Sequence, residues 1–540
     1  MTVIRFGAMG ASRRRFLTSC GAGAAAWAAT RMIPGVVLVE PLHAAEVSPD
    51  ALRELGAFAL ERAKKAGASY ADVRINRYRS QVVSLRSQPD LSTGTLNHVP
   101  SVSDSGSFGF GVRVLASGAW GFSASSKVTR DEIDRAAREA VETAKVNSSL
   151  RREPVKLARV AAHTDTYRTP VARDPFGVPV GEKLDLLKAA NEEVRKVPGV
   201  FSASAIIAQR MEHRFLVSTE GSAVEQWVYQ ISPEMTATAV ERGRKTKTRT
   251  YRPNAVTAGY EAVERAAFRD HARRIGEEAV SHLKAPPVEP GTKDIVLLPT
   301  HLGLTIHESI GHSTELDRAL GWEANFAGTS FLTPDKLGKF RVGSDLVNFN
   351  GDRIRPESLS TCGYDDDGVK TRQFPIIQKG VFVGYQTIRD QAHLVGQDES
   401  MGCCYADSFG SVPFQRMPNV WLAPALTVVT LEDLVGGVDD GVLIDGRGSY
   451  SIDQQRYNFQ FGGDAFWEIK SGKVGRMIAD VAYQSRTPDF WQACDGLGGM
   501  ATWENVGLNA DGKGQPQQVN AMSHGCPPSR FRRINVLRTA

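Results

Sequence analysis

The sequence predicts an α+β chain of two domains, with mixed and antiparallel sheets and a candidate metal-binding helix in the C-terminal half. Three observations predict it. Stretches with apolar residues at roughly alternate positions, such as YADVRINRYRSQVVSLR and FSASAIIAQRMEHRFLVST, are interspersed with helical repeats such as TRDEIDRAAREAVETAKVN. A hydrophobic content of 41% beside 23% charged residues, over 540 positions, is that of a globular protein with room for more than one core. Between Lys284 and Lys293, KAPPVEPGTK carries three prolines and one glycine in ten residues, the clearest boundary signal in the chain.

Residues 1–45 stand apart. Ser12-Arg13-Arg14-Arg15-Phe16-Leu17 has the form of a twin-arginine export signal. An Ala/Gly-rich apolar stretch follows, and small residues at Ala44 and Ala45 suit cleavage. The reading is export through the twin-arginine translocase to the periplasm or another extracytoplasmic space. The segment carries Arg5, Arg13, Arg14, Arg15 and Arg31 against Glu40, so removing it takes the net charge of +5 to near +1. That balance gives no reason to expect a nucleic-acid partner. No apolar run is long enough to span a membrane. Cys362, Cys403, Cys404, Cys494 and Cys526 remain after cleavage. Their odd number, the adjacent pair and an export route for folded proteins predict mostly free thiols.

The predicted N-terminal domain runs from 46 to 284. A helix capped by Ser48 and stopped by Gly67 opens it. Strands in YADVRI… and GSFGFGVRVLASGAWGFSAS come next, then two more amphipathic helices, the second in PVGEKLDLLKAANEEVRKV. FSASAII… and QWVYQISPEMTATAVER read as sheet strands. A linker at 285–292 leads to a C-terminal domain, 293–540. There DIVLLP reads as a buried strand and HLGLTIHESIGHSTELDRAL as a helix, with strand and turn signals beyond.

That helix holds the chemistry. In TIHESIGHSTELD, His307, Glu308 and His312 spell H-E-x-x-x-H, one residue longer than the usual pair of helical zinc ligands. Residues five apart diverge by about 140° on a regular helix. One expanded turn of π type absorbs the extra residue, and Gly311 eases it.

Beyond these residues the chain resembles the TldD/PmbA family of metallopeptidases, on its TldD-like side. HESIGHSTELD resembles the family's metal segment, and AGASYADVRI, GFGVRVLASGAWGFSAS and YRTPVARDPFGVPVGEKLDLL its N-terminal part. YDDDGVKTRQFPIIQKGVFVGYQTIRD, RMPN and DGKGQPQQV…SHGCPPSRF resemble its C-terminal part. The resemblance implies that His307 and His312 bind zinc. It makes Glu308 the general base of a peptide-bond hydrolase. It implies a dimer enclosing a cleft for peptides or unfolded segments, built from two copies or with a PmbA-like chain. Arg416 and Asn419, in RMPN, would position substrate, and His524 would support an oxyanion.

One departure stands out. The family's third ligand is a cysteine in a C-G-K segment; here the matching residue is Asp511, in Asp511-Gly512-Lys513. Aspartate can ligate zinc, but a hard oxygen relaxes selectivity toward Mn, Fe or Co. Glu315, Cys494, Cys526 or His524 could ligate instead, or the site could be degraded. Glu315 also suits a supporting role, orienting a ligand histidine. Two rival readings are a non-catalytic assembly partner of a related subunit, and an enzyme like dipeptidyl peptidase III. For the second, the helix with a further acidic ligand is missing. Asp365-Asp366-Asp367-Gly368 reads as a solvated turn.

Overall fold

The computed structural model describes residues 48–150, 153–241 and 246–539. The export signal and its cleavage site lie outside the described residues. Helix α1 (Pro49–Ala66) begins as expected, with the Ser48 hydroxyl accepting from the Ala51 N–H, and ends at Gly67, φ +112°.

Seven strands make the first sheet: β1 (Tyr70–Pro89), β2 (Leu96–Ala116), β3 (Ala119–Ser125), β4 (Thr164–Arg168), β5 (Val200–Ser218), β6 (Ala223–Val240) and β7 (Thr246–Tyr251). Their order is β3-β2-β1-β5-β6-β4, with β7 also on β6. All pairs are antiparallel except β4 on β6. The stretch GFGVRVLASGAWGFSAS is two strands, turned at Ser117 and Gly118, both at positive φ.

The long strands carry two separate cores. At one end α1 and α2 (Arg130–Ser148) bury Leu52, Ala63, Ile133 and Ala140 against Phe110, Val112 and Val217. At the other, α3 (Val180–Arg195) and α4 (Phe268–Lys284) bury Leu187, Val194, Phe268 and Ile275 against Ile207, Ile231 and Met235. Gly121 lets α2 close on β3, where a Cβ would run into the Ala140 carbonyl oxygen.

Among the described residues, nine strands form the largest of the C-terminal sheets. β8 (Gly291–Leu297) runs parallel to β9 (Asp440–Asp445) and antiparallel to the last strand, Ser529–Arg538. Leu298 and Pro299 turn the chain from β8 into helix α5 (Pro299–Ile306), which leads directly into the motif. A hairpin of Glu504–Lys513 and Gln518–Cys526 packs on this helix: a Cβ on Gly303 would meet Val506 at 3.0 Å. Ile306, Ile310, Leu316, Phe349, Tyr385, Trp491 and Phe531 share the C-terminal core.

One expectation is corrected. Asp365, Asp366 and Asp367 are buried, not a solvated turn. Arg214 donates to Asp366 (3.3 Å) and Arg113 to Asp367 (2.7 Å), while Arg113 also binds Asp72 (2.8 Å). Asp366 and Asp367 fasten the C-terminal half to strands β2 and β5, and buried charges persist only when paired in this way, while Asp365 accepts from the Asp367, Val369 and Cys404 N–H groups. The five cysteines from Cys362 onward are free and buried. Among the described residues no helix is long and apolar enough to cross a membrane.

Candidate metal centre

Helix α5 changes period at the motif. The chain runs as α-helix to Ile306, as a π turn over His307–Gly311, and as a 3-10 turn over His312–Thr314. The wide turn brings residues five apart onto one face, as the spacing requires. Gly311 is needed there for space as well: a Cβ would meet the Met417 sulfur at 2.6 Å.

The ring nitrogens are assigned by their partners. His524 is buried, and its Nδ1 faces the Val420 carbonyl oxygen at 3.0 Å. A carbonyl only accepts, so that nitrogen carries the proton. Burial, with His307 beside it, holds the His524 imidazole well below its usual range and therefore neutral. Its Nε2 then accepts from His307 Nδ1–H at 2.9 Å. His312 Nδ1 lies 2.9 Å from Glu315 Oε2 and 3.2 Å from Arg318 Nη2; the nearer, anionic partner only accepts, so this nitrogen carries the proton and donates to Glu315. Each motif histidine is thus left with a lone pair on Nε2.

Both lone pairs face Asp511. Its Oδ1 is 3.6 Å from His307 Nε2 and 3.4 Å from His312 Nε2. The three groups are only 7%, 5% and 7% exposed in side chain. Three acceptors do not converge in a buried place without a cation or proton among them. The separations match the edge of a tetrahedron with metal–ligand bonds of about 2.0–2.2 Å, which is about 3.3–3.6 Å. Arg416 secures the other oxygen, donating to Oδ2 at 3.1 Å and to the Asp511 carbonyl. An irregularity in strand register between Leu508 and Asp511 breaks the regular alternation just before this residue. His307, Glu308 and His312 bring their donor atoms within 4.8 Å of one another. The donor set of two imidazoles and a carboxylate fits a divalent transition metal.

Around this centre lies a buried polar net. Glu315 takes His312 on one side and Arg318 Nε at 2.9 Å. Lys513, fully buried, donates to Glu315 (3.1 Å), Asp317 (2.9 Å) and Gln415 (2.7 Å). Burial pushes Glu315 up, yet Lys513, Arg318 and His312 together hold it well below its usual value. Lys513→Met should strand the buried Asp317 carboxylate and take from Glu315 one of its two cations. A loss of about 3–5 kcal/mol in unfolding free energy is expected, checked by urea denaturation of the metal-free chain.

Three expectations change here. Arg416, Asn419 and His524 were placed at the substrate, yet all are buried. Arg416 braces Asp511. Asn419 accepts from the Ser360 and Ser523 N–H groups and donates to the Asp352 carbonyl. His524 backs His307. The Arg416 Nη1 and Nη2 groups, the Asn419 amide and both ring nitrogens of His524 are engaged by the protein, so these contacts brace the site. Glu315 lies where its supporting role puts it. Cys494 and Cys526 are buried, Cys526 with its thiol toward the Pro299 carbonyl, and no ion-pair or hydrogen-bond contact joins either to the motif. Sequence reading missed Arg318 and Arg456. Arg456 donates to Glu308 Oε2 at 2.7 Å from a turn nearly 150 residues away.

Comparison with known proteins agrees with this architecture. Residues 71–144 match the PmbA/TldA metallopeptidase domain 1, residues 173–283 its central domain, and residues 290–538 its C-terminal domain. A metalloprotease of Methanothermobacter thermautotrophicus is 27% identical over 79% of this chain and 88% of its own. A protein of Saccharolobus solfataricus named a zinc metalloprotease TldD homolog is 22% identical over 88% and 98%. The crystal structure of TldE from Thermococcus kodakarensis superposes with a TM-score of 0.65 over 89% of this chain and 99% of that one, at 16% identity. The three matched domains occur in order and span most of the chain, so it belongs to the PmbA/TldD family of metallopeptidases.

Proposed function

We propose that the protein is a metal-dependent peptidase, with zinc as the favoured ion, that hydrolyses peptides or unfolded segments. The observation that carries this is the convergence of three lone-pair donors, His307 Nε2, His312 Nε2 and Asp511 Oδ1, with Glu308 adjoining. A bound divalent metal would polarise the scissile carbonyl and lower the pKa of water. His307 and His312 hold neutral imidazoles toward it, fixed by His524 and Glu315. Asp511 supplies the third donor and Arg416 fixes its orientation. Glu308 has one oxygen held by Arg456, and the other accepts the proton of the attacking water and passes it to the leaving amine.

Ser12–Leu17 supports export by the twin-arginine route to the periplasm, and the family supports a dimer, of two copies or with a PmbA-like chain. Replacement of the family's cysteine by Asp511 favours one second reading, a non-catalytic assembly partner.

The test is elemental mass spectrometry of the purified mature protein. About one metal per chain in wild type and none in His307→Ala is expected, together with cleavage of unstructured peptides. A chain that stays empty in ample zinc overturns the peptidase and leaves the assembly partner.

A further inference from the structure

Arg456 has no place in the motif, yet both its backbone and its guanidinium are held beside the centre. Its backbone is left-handed, φ +63°, a conformation few side-chain-bearing residues adopt. The turn is held from several sides. Asp453 accepts from the N–H groups of Tyr457 (2.8 Å) and Asn458 (3.0 Å), and the Thr487 hydroxyl donates to the Arg456 carbonyl at 2.7 Å. The carbonyls of Gln454 and Gln455 accept from the Thr329 and Phe331 N–H groups, at 2.7 and 2.9 Å. A strained residue fixed this firmly beside a functional group invites a functional reading.

The side chain makes a two-point fork. Nη1 donates to Glu308 Oε2 at 2.7 Å and Nη2 to the Ala327 carbonyl at 3.1 Å. That same carbonyl accepts from Arg318, whose Nε holds Glu315, the partner of His312. Glu308 and His312 are therefore referenced to one backbone oxygen through two arginines. A planar guanidinium held at two points fixes direction as well as charge, which an ammonium cannot do.

We propose that Arg456 is a positioning residue for Glu308. It claims Oε2 and so directs the other carboxylate oxygen to the histidine–aspartate cluster. This rests on the peptidase reading above.

Arg456→Gly removes the fork while suiting the left-handed backbone, and Arg456→Lys keeps the charge without the fork. In the glycine variant kcat should fall by about 10–100-fold, the loss typical of supporting residues, with KM within about twofold and metal content unchanged. Added guanidinium ion should restore part of it. In the lysine variant Tm should return to that of wild type while kcat stays low. Recovery of both together would overturn the proposal, since Arg456 would then only neutralise a buried carboxylate. A crystal structure of Arg456→Gly gives an arm independent of turnover. Glu308 should rotate away while His307, His312 and Asp511 keep their places. A Glu308 that stays in position overturns the proposal even if wild type proves to be no peptidase. A wild type that cleaves nothing, with Glu308 displaced in the variant, sinks the peptidase reading alone.

Discussion

Glu308→Gln is expected to lower kcat by about 10²–10⁴-fold, the contribution of a positioned general base, with metal content unchanged. The argument is geometric. Glutamine keeps the shape of the side chain, and its carbonyl oxygen can still accept from Arg456, which now donates to Oε2 at 2.7 Å. It has no carboxylate with which to take a proton. The hydrogen bonds that fix His307 and His312 run to His524 and Glu315, and Arg416 fixes Asp511, so the substitution leaves the three donors in place. Steady-state kinetics on an unstructured peptide, with metal analysis of the same preparation, checks both halves. Loss of metal would make Glu308 a ligand, which its closeness to both histidines allows in space. Unchanged kcat would remove it from the chemistry.

The part of this centre visible in the sequence is the part with a period. His307 and His312, five positions apart, cannot share a helical face without one wide turn, and the π turn at His307–Gly311 is that turn. The limits of α1 were equally legible, because Ser48 and Gly67 act on the backbone within a few residues of themselves. Contacts between distant segments were not. Asp366 is 152 residues from Arg214, and Asp367 is 254 from Arg113. Three consecutive aspartates before a glycine therefore read as a solvated turn, because the arginines of Asp366 and Asp367 and the Cys404 N–H that meets Asp365 all lie far away in sequence.

Arg416, Asn419 and His524 fail for a related reason. A polar side chain near a site can face the ligand or brace the residue that does, and the residue type is the same in both cases. Only the position of the partner separates them: Asp511 for Arg416, His307 for His524. Arg456 carried no signal at all. It lies in a turn, in no motif, and its left-handed backbone cannot be read from an arginine.

Asp511→Cys should keep the metal and turn its preference toward zinc, whereas Asp511→Ala should lose it. The aspartate offers Oδ1 at 3.6 and 3.4 Å from the two imidazoles, so a thiolate from the same strand position enters the same gap, with a longer bond of about 2.3 Å to zinc making up for its shorter arm. Arg416, already within 3.1 Å of the Asp511 carboxylate, would favour the ionised thiol. Two nitrogens and a sulfur suit zinc, while two nitrogens and an oxygen also admit manganese, iron or cobalt. Competition between zinc and manganese for each variant, read by elemental mass spectrometry, should show the zinc share rising in Asp511→Cys above that of wild type. In Asp511→Ala the affinity should fall by more than the roughly 10–100-fold that losing an outer supporting residue costs. If the alanine variant binds metal as wild type does, Asp511 is not a ligand, and its approach to both histidines reflects only a buried carboxylate seeking protons. The cysteine variant would then have no reason to change the selectivity, so the two substitutions stand or fall together on the same pair of distances.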